Sequence, residues 1–142
     1  MQVFESASGV HVINDAYNAN PTSMRAAVET LAGMRSARQR VAVLGDMAEL
    51  GSLTELAHFR VGEDVARRPV DLLVTVGSKA ARIADGARAE GMPEDAITMC
   101  DTADTAAVAL LGMLEGGDAV LVKASRVMGL ERVVERIVEP DV

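Results

Sequence analysis

The feature that most constrains the fold of this 142-residue chain is the alternation of short apolar runs with longer segments of helical periodicity. Most of the runs are nearly continuous in hydrophobic residues, which is typical of strands covered on both faces in a parallel sheet. Five runs have this character: residues 10–14, 41–44, 72–76, 96–99 and 119–122. A weaker strand over residues 2–6 is predicted to pair with the first run as an edge or hairpin partner.

Between the runs, apolar residues recur at helical spacing. The first helical segment carries an apolar stripe at i, i+3, i+4, i+7 and i+8: Met24, Ala27, Val28, Leu31 and Ala32. Asn20, followed by a proline, is a favourable helix start. Further helices are predicted over residues 53–67, 79–88, 102–114 and 129–138. Thr102 is a candidate cap, Gly116 and Gly117 are expected to end the fourth helix, and Pro140 the last.

Strands that alternate with long helices imply parallel βαβ units with right-handed crossovers, which place helices on both faces of the sheet. The predicted fold class is therefore α/β, a Rossmann-like three-layer domain. Its sheet is expected to be mostly parallel, with about six strands and one antiparallel edge strand. Residues 1–142 are predicted to form one domain, because no repeat, linker or low-complexity segment divides them.

The composition excludes several classes of partner. A net charge of -7 and a mere three aromatic residues, Phe4, Tyr17 and Phe59, argue against nucleic-acid binding. The single cysteine, Cys100, permits no disulfide framework and is expected to be a small buried residue near a strand end. No apolar run approaches the ~20 residues of a membrane span. The first residues lack a signal-peptide pattern, so a cytoplasmic location is expected.

The loop after the first long apolar run is the most distinctive. In open α/β sheets the ligand crevice lies beyond the carboxyl ends of the strands. A carboxylate there, Asp15, is suited to a ribose diol, and Tyr17 offers a ring and a hydroxyl. Asn18 and Asn20 offer amide donors and acceptors to a substrate. Turn and capping roles are the alternative for Asp15, Asn18 and Asn20, with Asn20 the strongest candidate for a cap.

The loop after residues 41–44 contains Asp46 and Glu49, which are suited either to a magnesium ion or proton transfer or, more simply, to a helix start. Its two glycines, Gly45 and Gly51, suggest a turn that needs positive φ. His58, on the following helix, is expected to pack against this loop.

The third loop, Gly77-Ser78-Lys79, resembles a degenerate phosphate loop, but a helix start is the favoured interpretation. The chain lacks both the G-x-x-x-x-G-K-[ST] pattern and a G-x-G-x-x-G after any strand. It therefore shows no complete machinery for binding a nucleoside triphosphate with magnesium, and no metal site is predicted within it.

Two cations flank a hydroxyl in the fourth loop, directly after residues 119–122. Lys123 and Arg126 are suited to hold a carboxylate or phosphate, with Ser125 between them. Solvated loop charges are the alternative. The binding role is favoured because a lysine that directly ends a buried strand is poorly solvated.

Three stretches resemble the C-terminal domain of the Mur ligases, in particular those that add D-alanyl-D-alanine to a peptide precursor. They are residues 12–24, VINDAYNANPTSM, residues 43–51, VLGDMAELG, and residues 120–126, VLVKASR. The resemblance spans nearly the whole chain. Ala124 stands where the family pattern leads one to expect glycine.

The resemblance implies a part of an ATP-dependent amide ligase of peptidoglycan precursor synthesis, which acts through an acyl phosphate. Its substrates would be UDP-N-acetylmuramoyl-tripeptide and D-alanyl-D-alanine. The N-terminal domain and the central ATPase domain would be absent here, so ATP and Mg would be bound mainly elsewhere. The 142 residues alone would be inactive, with no catalytic residue among them.

By the same resemblance, Asp15 would hold the nucleotide ribose, with Tyr17 and Asn18 beside it near nucleotide and dipeptide. Lys123, Ser125 and Arg126 would recognise the incoming dipeptide, while the roles of Asp46 and Glu49 stay open. Two alternatives remain. One is the C-terminal domain of a related ligase that uses a single amino acid or a folate acceptor, and the other is a stand-alone α/β interaction module.

Overall fold

The computed structural model describes residues 1–138, which form six strands and five helices joined by short turns. The strands are β1 (Gln2–Glu5), β2 (His11–Asp15), β3 (Arg40–Gly45), β4 (Leu72–Val76), β5 (Ile97–Cys100) and β6 (Ala119–Lys123). The helices are α1 (Pro21–Ala32), α2 (Thr54–Arg67), α3 (Ala81–Ala89), α4 (Ala103–Leu111) and α5 (Glu131–Val138). Each predicted strand and helix is present, with bounds that differ by a few residues. Pro140, expected to end the last helix, lies outside the described residues.

The six strands form one sheet in the order β1-β2-β6-β3-β4-β5. β1 pairs antiparallel with β2, and the other pairs are parallel. This confirms the predicted fold class, including the antiparallel edge strand. Because β6 lies between β2 and β3, the loops that follow these three strands emerge side by side at the carboxyl end of the sheet.

Two apolar cores, one on each face of the sheet, make the domain three layers thick. On one face, α1, α2 and α3 pack against the strands, with Met24, Leu31, Ile83 and Leu121 inaccessible to solvent. On the other face, α4 and α5 pack against the alternate strand residues. The strands are therefore buried on both sides, which explains why their sequences are nearly all apolar. Cys100 lies at the end of β5, where burial raises the pKa of its thiol.

The helix starts follow from local capping. Asn20 accepts a hydrogen bond from the backbone N–H of Ser23 at 2.9 Å, and the Ser23 hydroxyl accepts one from the Asn20 N–H, which is a capping box. Thr102 caps α4 in the predicted way. The predicted end of α4 was wrong, however. The helix ends at Leu111 rather than at residue 114, because Gly112, a poor helix former, is followed by tight turns instead.

Two glycines bring α2 and α3 into close contact. A Cβ atom on Gly62 would collide with the carbonyl of Ile83, and one on Gly86 would collide with the carbonyl of Phe59. Any larger side chain would push the helices apart, so these positions fix α2 and the side chains it presents to the site. None of the helices within residues 1–138 has the length and apolarity to cross a membrane.

Candidate functional site

The candidate site lies at the carboxyl end of the sheet, where the loops after β2, β3, β4 and β6 meet. The strand register places Asp15 directly opposite Lys123, and Lys123 opposite Leu44. Residues far apart in the chain are thereby brought together at one edge.

Lys123 and Asp15 form an ion pair at the centre of this edge. The Lys123 Nζ donates to Asp15 Oδ2 at 2.5 Å and to the backbone carbonyl of Asn18 at 2.7 Å. The Lys123 side chain is 1% exposed, whereas that of Asp15 is 18% exposed. The ammonium is therefore engaged inside the domain, and the part of the pair that solvent reaches is the carboxylate. Within residues 1–138, no hydrogen bond uses Asp15 Oδ1.

The first loop presents two exposed side chains next to this carboxylate. Tyr17 is 50% exposed, and Asn18 is exposed while its carbonyl is held by Lys123. Asn20 is exposed too, but its side-chain oxygen is used by the capping box. The capping role of Asn20 is confirmed. The structure brings Asp15, Tyr17 and Asn18 together and leaves Asn20 at the start of α1.

Asp46 joins the second, third and fourth loops. Its Oδ1 accepts a hydrogen bond from the Ala80 N–H at 2.7 Å, and its carbonyl accepts one from the Ser125 N–H at 3.0 Å. The carboxylate thus occupies a free N–H at the start of α3, where an anion would bind in a phosphate loop. The interpretation of Ser78 and Lys79 as part of a helix start is confirmed.

His58, on α2, holds the loop that follows β3. It is inaccessible to solvent, and its Nε2 accepts a hydrogen bond from the Met47 N–H at 2.9 Å. Its Nδ1 lies 2.6 Å from the Thr54 carbonyl, which places the ring proton on Nδ1. Burial lowers the pKa of His58, a nearby positive charge on Lys79 lowers it further, and the Thr54 carbonyl and Asp46 oppose them. The predicted packing of His58 against this loop is confirmed.

The expected role of the two glycines in this loop was half right. Gly51 has φ +56°, but Gly45 lies in β3 and not at a positive φ; instead, a Cβ on Gly45 would collide with the methyl group of Ala124. Glu49 is the residue that adopts a positive φ, 62°, and its side chain is exposed. The missing side chain at Gly45 makes room for the alanine found where the resemblance leads one to expect glycine.

The fourth loop holds Ser125 and Arg126. Ser125 is 7% exposed, and its Oγ has no hydrogen-bond partner within the described residues. A buried hydroxyl without a partner suggests a donor or acceptor that a ligand supplies. Arg126 is exposed at the start of a short 3-10 turn, Arg126–Met128, so its guanidinium is accessible to an anion.

Sequence reasoning missed the pairing itself. Asp15 and Lys123 were each proposed as ligand-binding residues, but they are separated by 108 positions. The one available signal was a buried lysine that needs a carboxylate, since an unpaired buried charge is costly. Across residues 1–138, no group of three or more His, Cys, Asp or Glu side chains is arranged to hold a metal ion.

The sequence matches a protein family over most of its length and is similar to individual proteins whose function is known. Residues 1–126 match the family model described as the Mur ligase, glutamate ligase domain. The chain is 35% identical over 139 residues to the UDP-N-acetylmuramoyl-tripeptide–D-alanyl-D-alanine ligase of Bacillus subtilis, which covers 98% of this chain and 30% of that protein. The chain therefore spans less than a third of the length of this relative.

Solved structures of similar proteins superpose on this chain over nearly its whole length. A crystal structure of MurF from Acinetobacter baumannii superposes with a TM-score of 0.82 at 30% identity, covering 97% of this chain and 29% of that one. The MurF ligase from Thermotoga maritima in complex with ADP superposes with a TM-score of 0.75 at 29% identity, covering 94% and 29%.

Proposed function

Because this chain belongs to the Mur ligase family, we propose that it is the C-terminal domain of a longer ATP-dependent amide ligase. The full-length enzyme would add D-alanyl-D-alanine to UDP-N-acetylmuramoyl-tripeptide during peptidoglycan precursor synthesis. The carboxylate of the tripeptide is phosphorylated by ATP, and the dipeptide amine then displaces phosphate to form the amide. ADP and phosphate are released. Since ATP and UDP-linked precursors are made inside the cell, the proposed reaction is cytoplasmic.

In this proposal the domain contributes a nucleotide contact and not the phosphoryl transfer. The observation that carries it is the Lys123–Asp15 pair. Lys123 holds one carboxylate oxygen. The other, Oδ1, has no donor among residues 1–138 and would accept a hydrogen bond from a ribose hydroxyl. The exposed ring of Tyr17 offers a face to the nucleotide beside it. The exposed Asn18 would lie near both the nucleotide and the dipeptide.

The dipeptide would meet the fourth loop. Arg126 presents an exposed guanidinium, which suits the dipeptide carboxylate, and the unpartnered Ser125 hydroxyl suits a polar atom of its backbone. Lys123 contributes indirectly, by holding Asp15 and the Asn18 carbonyl. Within residues 1–138 the amide nitrogen of Asn20 has no hydrogen-bond partner, so it would be available to a substrate carbonyl, while the oxygen serves the helix cap.

Magnesium and the phosphate groups are assigned to a central domain outside this chain. Residues 1–138 supply no three-ligand acidic cluster, and the Asp46 carboxylate already occupies the start of α3. Closing this domain over the central one would orient the reactants and exclude water from the acyl phosphate. We therefore propose that residues 1–142 are inactive alone and function together with N-terminal and central domains.

The test is ATP-dependent phosphate release and amide formation by the full-length ligase with a panel of acceptors. D-Alanyl-D-alanine is expected to be ligated to the UDP-linked tripeptide, and D-glutamate is not. Preference for a single amino acid, or for glutamate on a folate, would favour a related ligase instead. Ligation by the 142 residues alone would overturn the assignment of the chemistry to another domain.

A further inference from the structure

Asp46 has a contact pattern that a simple helix cap does not need. Its carboxylate binds the Ala80 N–H ahead of α3, while its own carbonyl binds the Ser125 N–H in the loop after β6. The next residue, Met47, is fixed by His58 through its backbone N–H. Asp46 is thus held at two points, in loops that follow different strands, and a third contact holds the neighbouring Met47.

The glycine at position 77 fits the same arrangement. Gly77 has φ +112°, and a Cβ built there would collide with the Asp46 carboxylate. The turn after β4 therefore has a side-chain vacancy that the carboxylate fills. The contact is close enough for the position of this turn and the position of Asp46 to determine each other.

The β6 loop depends on this arrangement through one bond. Ser125, whose hydroxyl is buried and has no partner within the described residues, is anchored by its N–H to the Asp46 carbonyl. Arg126 follows directly. If the Asp46 carboxylate loses its hold on the turn after β4, the backbone at residue 46 shifts, and Ser125 and Arg126 shift with it.

We propose that Asp46 is a positioning residue for the acceptor subsite. It couples the turn over residues 77–80 to the loop over residues 124–126, and so places Ser125 and Arg126 for the incoming dipeptide. This inference rests on the proposed function for the identity of the acceptor. The coupling itself is a property of the 142-residue chain and is measurable without any substrate.

The first experiment records backbone amide resonances of the chain by 1H–15N NMR. Asp46→Ala is expected to shift the amides of both Ala80 and Ser125, and Asp46→Asn, which keeps an acceptor oxygen, is expected to retain both near their original positions. Asp71→Ala is the matched control, because it removes another carboxylate that accepts a backbone N–H, that of Arg40 at the amino end of the sheet, and should shift neither. A shift of Ala80 without one of Ser125 would reduce Asp46 to an ordinary cap and overturn the proposal.

A glycine pair tests the same coupling from the other side. Gly77→Ala introduces both backbone strain and a collision with Asp46, and is expected to reproduce the Ser125 shift of Asp46→Ala. Gly91→Ala carries comparable strain, φ +96°, with no atom within 4 Å of the added Cβ, and should leave Ser125 unchanged. If both glycine variants move Ser125 equally, strain alone explains the effect and the coupling is refuted.

Steady-state kinetics of the full-length ligase give the functional readout. Asp46→Ala is expected to raise KM for D-alanyl-D-alanine about tenfold, the order expected for a displaced hydrogen-bonding group, with a much smaller change in KM for ATP. Asp46→Asn should restore KM for the dipeptide. Equal changes in both KM values, or no rescue by asparagine, would contradict a positioning role. A wild-type ligase with no activity towards the dipeptide would refute the proposed function, while the NMR result would still decide the coupling.

Discussion

Two ion pairs lie at opposite ends of the sheet, and they are built in opposite senses. At the amino end, the carboxylate of Asp118 is fully buried and the guanidinium of Arg38 is 46% exposed. At the carboxyl end, the ammonium of Lys123 is buried and the carboxylate of Asp15 is the partner that reaches solvent. Both pairs join segments distant in sequence.

The two pairs differ in how many carboxylate oxygens accept hydrogen bonds. Asp118 accepts hydrogen bonds from Arg38 Nε at 2.7 Å, from Arg38 Nη2 at 3.0 Å and from the Glu115 N–H at 2.9 Å, which engages both oxygens. Asp15 has one oxygen held by Lys123, and the other accepts no hydrogen bond from the described part of the chain, residues 1–138. The amino-end pair is closed and structural, whereas the carboxyl-end pair is preorganised and still has an acceptor to offer. The exposed partner is the cation at the amino end and the anion at the carboxyl end, where we propose that the nucleotide binds.

The largest expected effect comes from removing the open carboxylate. Asp15→Ala leaves the Lys123 ammonium buried without its counter-ion, and should cost about 3 kcal/mol of unfolding free energy. Urea denaturation of the chain measures this loss. In the full-length ligase, KM for ATP should rise as well. Asp15→Asn is the matched control for the first effect, since its amide oxygen can still accept from Lys123. If Asp15→Ala binds ATP as the wild type does, the ribose contact is wrong.

Substitution in the Arg38–Asp118 pair should lower stability without weakening ATP binding. Arg38→Ala leaves Asp118 buried with one donor, so the urea midpoint should fall. The fall should be smaller than for Asp15→Ala because removal of the half-exposed Arg38 side chain opens the carboxylate to water. Asp118 and Lys123 are five residues apart on a strand edge, roughly 16 Å. ATP affinity of the folded ligase should therefore be unchanged. A marked rise in KM for ATP would show that the two ends of the sheet are coupled and that the Arg38–Asp118 pair is not purely structural.

A smaller effect is expected at Tyr17, which is half exposed. Tyr17→Ala should leave the urea midpoint unchanged and weaken ATP binding by about three- to tenfold, the range for a lost aromatic contact. Tyr17→Phe keeps the ring and should bind normally. Equal losses in both variants would assign the contribution to the hydroxyl.

The elements of the fold could be predicted from the sequence more completely than their exact ends. The fold was predictable because double-sided burial leaves a direct trace in the sequence, and residues 72–76 were assigned with the observed bounds. The end of α4 was not, because Gly112 outweighs an apolar pattern that continues beyond it. Gly45 was assigned to a turn, although its lack of a side chain serves contact with Ala124.

The individual residues of the site could be predicted from the sequence, but their contacts with one another could not. Asp15 and Lys123 stand out because each directly ends a buried strand. Their pairing depends on the register of β2 against β6, which places them opposite each other and which local sequence does not encode. The hold of Asp46 on Ala80 likewise depends on where α3 starts relative to β3. Such contacts require the folded sheet.

The smallest expected effect is a pH dependence confined to the carboxyl end. Burial lowers the pKa of His58, so the folded chain binds this proton less readily than the unfolded chain, whose value is near 6.5. Stability from His58 is therefore fully present above about 6.5 and declines as the pH falls from there towards the lowered folded pKa. Protonation also puts a hydrogen on Nε2, which then cannot accept from Met47. The charges nearest the ring, Asp46 and Lys79, oppose each other.

Amide hydrogen exchange at Met47 should accordingly accelerate relative to Arg38 as the pH falls, after correction for intrinsic rates. His58→Gln keeps an acceptor and cannot titrate, so its difference in stability from the wild type should shrink with falling pH. His11, which is half exposed beside Glu5, is present in both proteins and cancels in that comparison. The Arg38–Asp118 pair lies at the amino end of the sheet, at the opposite end from His58, and Arg38 therefore serves as the reference site. Equal acceleration at both ends would mean that the protein loosens as a whole, and that the carboxyl end has no separate sensitivity to pH.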